Sequence, residues 1–386
     1  MKKILLLLGL VSLVFMGCPN ERETERETER ELVAINVKAN KTSYTVGESV
    51  APSDIEVVAT YYGDGTSTAV SGFTVTPATF SKAGTTTVTV SYSENGVTKT
   101  ASYMVTVNGV VFVPTASAGS SSDFMKISAG TMLLGSDGSY KVTLTKAFEI
   151  CKHEVTQKEW TDLMGNNPSY GTSHPADEEV QDLRPVEKVN WYEAIAYCNK
   201  RTEIEGIKIG ASENIDYVYF SDSSYEAPYT ADDASSKKAV YIKVDSENKI
   251  ASLGYRLPTE AEWEIAARGG STINGYAGTA TNLESYAWYS GNAGTKTHQV
   301  MKKKPNGYGL YDMSGNVLEW CWDCYADYPN AAVDPLGPAS SWTSSRVTRG
   351  GFYRGDAEVC RVAHRKTFEP NKGDYCVGFR VVRSSS

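Results

Sequence analysis

Two rhythms of apolar and polar residues divide the chain. Between residues 32 and 108 the alternation is strict. Ile35, Val37 and Ala39 mark one segment, and Ile55, Val57 and Ala59 a second, with Val58 and Thr60 on its opposite side. Val88, Val90 and Tyr92 mark a third, between Thr87, Thr89 and Ser91. A period of two in Val, Thr and Tyr predicts strands with one buried face. Gly63-Asp64-Gly65 and Asn95-Gly96 predict turns, the second a tight hairpin because its central residues tolerate φ > 0. Several short strands in so compact a stretch predict a β-sandwich. It contains no cysteine, so packing alone must hold it, and its expected role is that of a spacer.

The texture changes after a linker over 109–123, which includes Ala118-Gly119-Ser120-Ser121-Ser122. From Phe124 onward turns, Gly and aromatics dominate. Helices are predicted at Gln157 to Met164 after Thr156, and at Trp191 to about Glu203 after the cap Asn190. Another begins at Pro258-Thr259, where Thr259 and Glu262 form a capping box ahead of Trp263, Ile265 and Ala266. Residues 204–252 are largely polar and read as a surface insertion.

The N-terminus has its own pattern. Lys2 and Lys3 precede the apolar run Ile4 to Met16, then Gly17 and Cys18. The run is shorter than the roughly 20 apolar residues of a membrane span and reads as an export signal over 1–18. Its ending, Phe15-Met16-Gly17-Cys18, resembles a lipobox, which implies lipidation of Cys18 and anchoring at a bacterial membrane, with the outer surface as the expected location. Residues 19–31 carry a Glu-Arg-Glu-Thr repeat without apolar content and read as a solvated tether.

Composition narrows the function classes. The net charge is -8 and the only basic run is Lys302-Lys303-Lys304, so a nucleic-acid partner is not expected. Besides Cys18 there are Cys151, Cys198, Cys321, Cys324, Cys360 and Cys376, whose pairing spacing alone does not assign. Cys321-Trp322-Asp323-Cys324 is a lone C-x-x-C, weak evidence for zinc or redox chemistry, and the four histidines are dispersed.

Ordered motifs then cover residues 124–384. They include Glu154-Val155-Thr156, Asn167-Pro168-Ser169, Pro185-Val186 and Val189-Asn190-Trp191. Tyr255-Arg256-Leu257-Pro258-Thr259-Glu260-Ala261-Glu262-Trp263-Glu264 follows, then Asn306-Gly307-Tyr308-Gly309-Leu310-Tyr311-Asp312. Gly315-Asn316-Val317-Leu318-Glu319-Trp320, Arg349-Gly350-Gly351 and Gly378-Phe379-Arg380 complete the set. This series resembles the formylglycine-generating-enzyme, or sulfatase-modifying-factor, family. The resemblance implies an α+β domain of C-type-lectin-like fold with little regular secondary structure. Tyr44-Thr45-Val46-Gly47-Glu48 and Gly84 to Val90 resemble bacterial immunoglobulin-like repeats, which implies an all-β immunoglobulin-like sandwich over 32–108.

The family resemblance also implies sites. A structural calcium ion would be lined by Asp312, Gly315, Val317 and Glu319, carboxylates and backbone carbonyls suiting a hard cation. A second would begin at Asn292 and Ala293, without an evident acidic partner. The family enzyme oxidises a peptide cysteine to formylglycine with O₂, using copper(I) on two cysteines that would fall at positions 355 and 360. Here they are Gly355 and Cys360, so half of the soft-ligand pair is missing.

Two functions remain. One is a non-catalytic, lipid-anchored surface protein that binds a protein or glycan. Tyr353, Arg354, Gly355, Asp356, His364, Phe368, Asp374 and Tyr375 sit between fixed family residues, and each can arise by replacing adenines of an Asn codon. That pattern resembles the variable proteins of diversity-generating retroelements, and implies that these residues form an exposed ligand face. The alternative is a copper-dependent formylglycine-generating oxidase acting through Cys360.

Overall fold

The computed structural model describes residues 31–385 apart from 46–47, 63–66, 81–83, 109–116, 119–120, 174, 211, 248, 251, 272–274, 279–280 and 339–344. The expected signal, Cys18, nearly all of the tether and the Gly63-Asp64-Gly65 turn lie outside the described residues.

The alternating segments form strands β1 (Glu31–Ala39), β2 (Ser43–Thr45), β3 (Ile55–Tyr62), β4 (Ser67–Ala69), β5 (Thr74–Thr76), β6 (Gly84–Glu94) and β7 (Val97–Asn108). They make two sheets, β1-β3-β4 and β2-β7-β6-β5. The period of two is what fills the space between them. Leu32, Ile35, Val57, Ala59 and Val90 form one buried cluster, and Tyr44, Phe80, Val88, Val105 and Val107 another. Burying each such side chain is worth roughly 1.5–3 kcal/mol, which lets the sandwich stand without a disulfide. Asn95 and Gly96 take φ of 50° and 78° at the β6–β7 hairpin, as their side chains permit.

The remaining chain has short elements. It continues with β8 (Ser117–Ala118), β9 (Phe124–Ile127), β10 (Gly130–Leu134), β11 (Tyr140–Leu144) and β12 (Phe148–Cys151). Helices α1 (Gln157–Met164) and α2 (Trp191–Ile204) precede β13 (Tyr219–Phe220), α3 (Ala231–Ser235) and β14 (Tyr241–Ile242). Then come β15 (Tyr255–Arg256), α4 (Glu260–Arg268), β16 (Leu318–Cys324), β17 (Ala331–Val333) and β18 (Arg346–Arg349). Strands β19 (Lys366–Phe368), β20 (Val377–Gly378) and β21 (Val382–Ser384) end the fold.

Helices α1, α2 and α4 begin where the caps predicted. Thr156, Asn190 and Thr259 each accept the N–H three residues on, and Glu159, Glu193 and Glu262 reach back to complete reciprocal boxes. The insertion differs from expectation. It carries α3, capped by Thr230 and Asp233, and sends Val218, Tyr219, Tyr229 and Val240 into the core. Asn199 of α2 fastens it by donating to the carbonyls of Tyr219 and Tyr229.

Sheet β15-β21-β12-β9-β8 and sheet β19-β18-β16-β20 frame the C-terminal core. Trp263 and Trp320 are fully buried, and their indole N–H groups donate to Glu319 and to the Val189 carbonyl. Buried charges are paired, as burial demands. Arg256 meets Glu262, while Arg349 and Arg268 share Glu264. Although burial opposes it, those two guanidinium groups hold the Glu264 carboxyl below the usual range.

Candidate functional site

The segment after β18 decides what the expected copper position contains. Gly350 and Gly351 have φ of 96° and 78°, and a β-carbon on Gly351 would stand 2.7 Å from Cys360 Sγ. The turn therefore presses the chain onto Cys360, which is fully buried with Leu283 and Ala287 and flanked by Ala357 and Val359. Burial pushes its thiol up to about 12, away from the thiolate that copper(I) would need. Gly355 is buried too, with Val359 and the Phe352 ring packed into the space of any side chain. All six described cysteines are buried, and none of them forms a disulfide.

The expected calcium residues are engaged elsewhere. Glu319 Oε2 accepts from Arg380 Nε at 2.6 Å and Trp263 Nε1 at 2.7 Å, and its Oε1 accepts from Arg380 Nη2 at 2.7 Å. Asp312 Oδ2 accepts from the Met301 N–H at 2.8 Å, and only Oδ1 is buried without a partner. Burial pushes the Asp312 carboxyl up to about 6. The N–H groups of Gly315 and Val317 donate to the Gly350 carbonyl and to Glu154. Of the carboxylate oxygens here only Asp312 Oδ1 is without a partner, so a calcium ion, which takes roughly six to eight oxygen ligands, would rest mainly on backbone carbonyls.

At the second expected site, Asn292 Oδ1 accepts from the Tyr289 N–H at 3.0 Å and the Ala293 carbonyl accepts from His298 Nε2 at 2.9 Å. The His298 ring also stacks on Trp288, with centroids 3.7 Å apart. Among the described residues no three His, Cys, Asp or Glu side chains form a group able to hold a metal.

The expected display residues divide by burial. Arg354, Asp356 and Tyr375 are exposed, His364, Phe368 and Asp374 are half-buried, and Tyr353 and Gly355 are buried. The expectation of uniform exposure is corrected for those last two. Tyr353 packs edge-on against Tyr375 and Phe352, and Gly355 has no room to vary. Asp356 Oδ1 accepts the Val359 N–H, and Asp374 Oδ1 accepts from the Cys376 N–H and thiol, so both acids shape local turns.

What remains is a continuous aromatic and cationic face. The Arg354 guanidinium lies 5.4 Å from the Tyr353 ring and 5.3 Å from that of Tyr375. Tyr170, from the loop after α1, adds its ring 6.4 Å from Tyr375. Across Phe352, Lys366 spans the Phe352 and Phe368 rings at 4.9 and 5.3 Å. Phe368 in turn rests edge-on against Trp320. The His364 carbonyl accepts from Arg349 Nη1, which ties the face to the buried frame. Sequence reasoning missed Tyr170, Phe352 and Lys366. Tyr170 follows the Asn167-Pro168-Ser169 motif, but no local signal places it beside Tyr375.

Comparison with known proteins agrees with this geometry. Residues 111–385 match the family model of the sulfatase-modifying factor enzyme 1-like domain, and residues 37–107 that of a bacterial Ig-like domain (group 3). The protein named chaperone protein LppX from Paenibacillus barcinonensis is 34% identical over 284 residues, covering 68% of this chain and 90% of that protein. The formylglycine-generating enzyme of Streptomyces coelicolor is 38% identical over 153 residues, 34% of this chain and 48% of the enzyme. The similarity thus spans about half of that enzyme. The solved structure of Treponema denticola variable protein 1 superposes with a TM-score of 0.58 at 36% identity, covering 77% of this chain and 99% of that one.

Proposed function

The chain belongs to the sulfatase-modifying-factor family, and from that premise we propose that it is a non-catalytic member which binds a protein ligand. Its lectin-like domain is held out from a bacterial surface by the immunoglobulin-like spacer and the lipid on Cys18. The observation that carries this reading is the face formed by Tyr170, Tyr353, Arg354 and Tyr375, with Phe352, Lys366 and Phe368 beside it. Tyr and Arg are the types that most often dominate binding energy at protein interfaces, because they join large contact area to directed polar groups. Four positions fit replacement by diversification: Arg354, His364, Phe368 and Tyr375 sit at least partly in solvent on a frame built from Trp320, Arg349 and Phe379. Similarity to a variable protein supports that part of the reading.

Oxidation of a peptide cysteine is the less supported alternative. Cys360 is a packed thiol of raised pKa, and position 355 holds no second sulfur. The test is capture of surface proteins by the purified chain, compared with a variant carrying Arg354→Ala, Phe368→Ala and Tyr375→Ala. Lost capture with an unchanged melting temperature supports a display face. Undiminished capture places the ligand elsewhere.

A further inference from the structure

Beside Tyr353 the face opens into a cavity of about 420 Å³ whose lining carries three charged residues, Arg184, Lys296 and Glu187. Two of them are almost fully buried, Arg184 at 2% exposure and Glu187 at 1%. Arg184 is clamped along one edge. Its Nε donates to Thr297 Oγ1 at 2.9 Å, and its Nη1 donates to Gln181 Oε1 at 2.9 Å and to the Ser173 carbonyl at 3.3 Å. Nη2 donates to no acceptor among the described residues. A guanidinium has donors in a fixed fork, and here Nη2 is the one left open at the cavity.

Glu187 does not fill it. Its Oε1 accepts the Gly171 N–H at 2.7 Å and its Oε2 the Tyr170 N–H at 3.0 Å. Those bonds hold the loop that carries Tyr170 and turn the carboxylate toward backbone. Burial pushes the Glu187 carboxyl above the usual range, against the pull of those two bonds. Gly171 keeps the approach clear, since a β-carbon there would stand 2.7 Å from Arg184 Nη2. Tyr170, Tyr353, Thr295 and Lys296 form the remaining walls.

We infer that this cavity receives a single carboxylate side chain from an acidic protein segment lying across the Tyr170–Tyr353–Tyr375 face, with Arg184 Nη2 as its donor. The inference rests on the face being a ligand surface and names what that ligand must carry. A charge-assisted bond to a carboxylate oxygen is about twice as strong as a neutral one, so a free guanidinium donor at the cavity favours a charged acceptor. One free nitrogen suits one carboxylate oxygen better than the several oxygens of a phosphate. The surrounding Tyr and Arg surface favours a protein over an acidic sugar.

The test uses the full chain and small probes: N-acetylglutamate amide, N-acetylglutamine amide, inorganic phosphate and N-acetylneuraminic acid, with affinities from calorimetry. The glutamate probe should bind at least tenfold more tightly than the glutamine probe, and Arg184→Gln should abolish that preference. Should Arg184→Gln fail to fold, Gly171→Ala decides, because its β-carbon would stand 2.7 Å from Nη2 and so displace that donor from the cavity. Equal binding of the two amides, or a preference that survives Gly171→Ala, overturns the inference. Tighter binding of phosphate or of N-acetylneuraminic acid overturns it as well, the latter in favour of a glycan. Failure of the probes with capture still dependent on Arg354 and Tyr375 would sink the cavity and spare the face. Probe binding without that dependence would do the reverse.

Discussion

A methyl group of Val359 stands where a β-carbon on Gly355 would have to be. The position that would supply the second copper thiolate in the enzyme family is thus filled, as well as lacking sulfur. The short helical turn Glu358–Cys360, which carries Val359, packs under the Phe352 ring and closes the space from the other side.

Catalysis should therefore be absent and not restorable by one change. Copper-loaded protein should leave a Cys-x-Pro-x-Arg peptide unoxidised by mass spectrometry. Gly355→Cys should also give no formylglycine, and should melt at a lower temperature because its side chain must displace Val359. Copper-dependent turnover by either form would restore the oxidase.

The pairing of Glu319 with Arg380 makes a second expectation. Both are fully buried, and removing one partner leaves an uncompensated charge. Glu319→Gln should destabilise the domain by about 3–5 kcal/mol in denaturant titrations. A chelator should leave the melting temperature of the wild type unchanged, since Arg380 already neutralises Glu319. A chelator-dependent drop would show that calcium binds after all.

How far these sites were legible depends on how local their signals are. Capping boxes at Thr156, Asn190 and Thr259 are signals four residues long, and each helix starts where it was read. The strands of the sandwich followed from alternation for the same reason. The Glu319–Arg380 pair joins residues from motifs far apart in sequence, and nothing local tells a calcium ligand from a salt-bridge partner. Tyr353 misled because a loop has no period to separate inward from outward positions. Only the contacts with Phe352 and Tyr375 reveal its burial.

A pH effect follows from Asp323 of β16, which faces the first turn of α4. Its Oδ2 accepts the Glu260 N–H at 2.7 Å, yet burial, then the nearby Glu260 charge, push its carboxyl up to about 7. A carboxyl raised in the folded state favours folding below its unfolded pKa, near 4. That contribution is lost as pH rises through about 7. Stability should thus fall between pH 4 and 7 by a component that Asp323→Asn removes, measured as unfolding free energy across that range. An identical slope in the variant would assign the effect to other groups.

The anchor is testable without the fold. Cys18→Ser should abolish incorporation of labelled fatty acid and release the protein from the membrane fraction. Continued labelling would place the lipid on another residue and refute its assignment to Cys18.

Tyr353 and Tyr375 touch each other, and their alanine variants should nonetheless differ in kind. Tyr353 is 3% exposed and Tyr375 41%, with ring centroids 6.5 Å apart. Truncating a buried aromatic removes its transfer energy and leaves a cavity, so Tyr353→Ala should cost about 3–5 kcal/mol. Tyr375→Ala removes a ring that already meets solvent and should stay within about 0.5 kcal/mol. Its effect should appear instead in binding, because Tyr375 presents its outer edge while Arg354 and Tyr170 hold it in place. The measurement pairs unfolding free energy with ligand capture for each variant. If Tyr375→Ala destabilised the domain as much as Tyr353→Ala, both would be core, and the face would end at Arg354. If Tyr375→Ala lost capture at full stability, the exposed half of this pair would be the contact and the buried half its support.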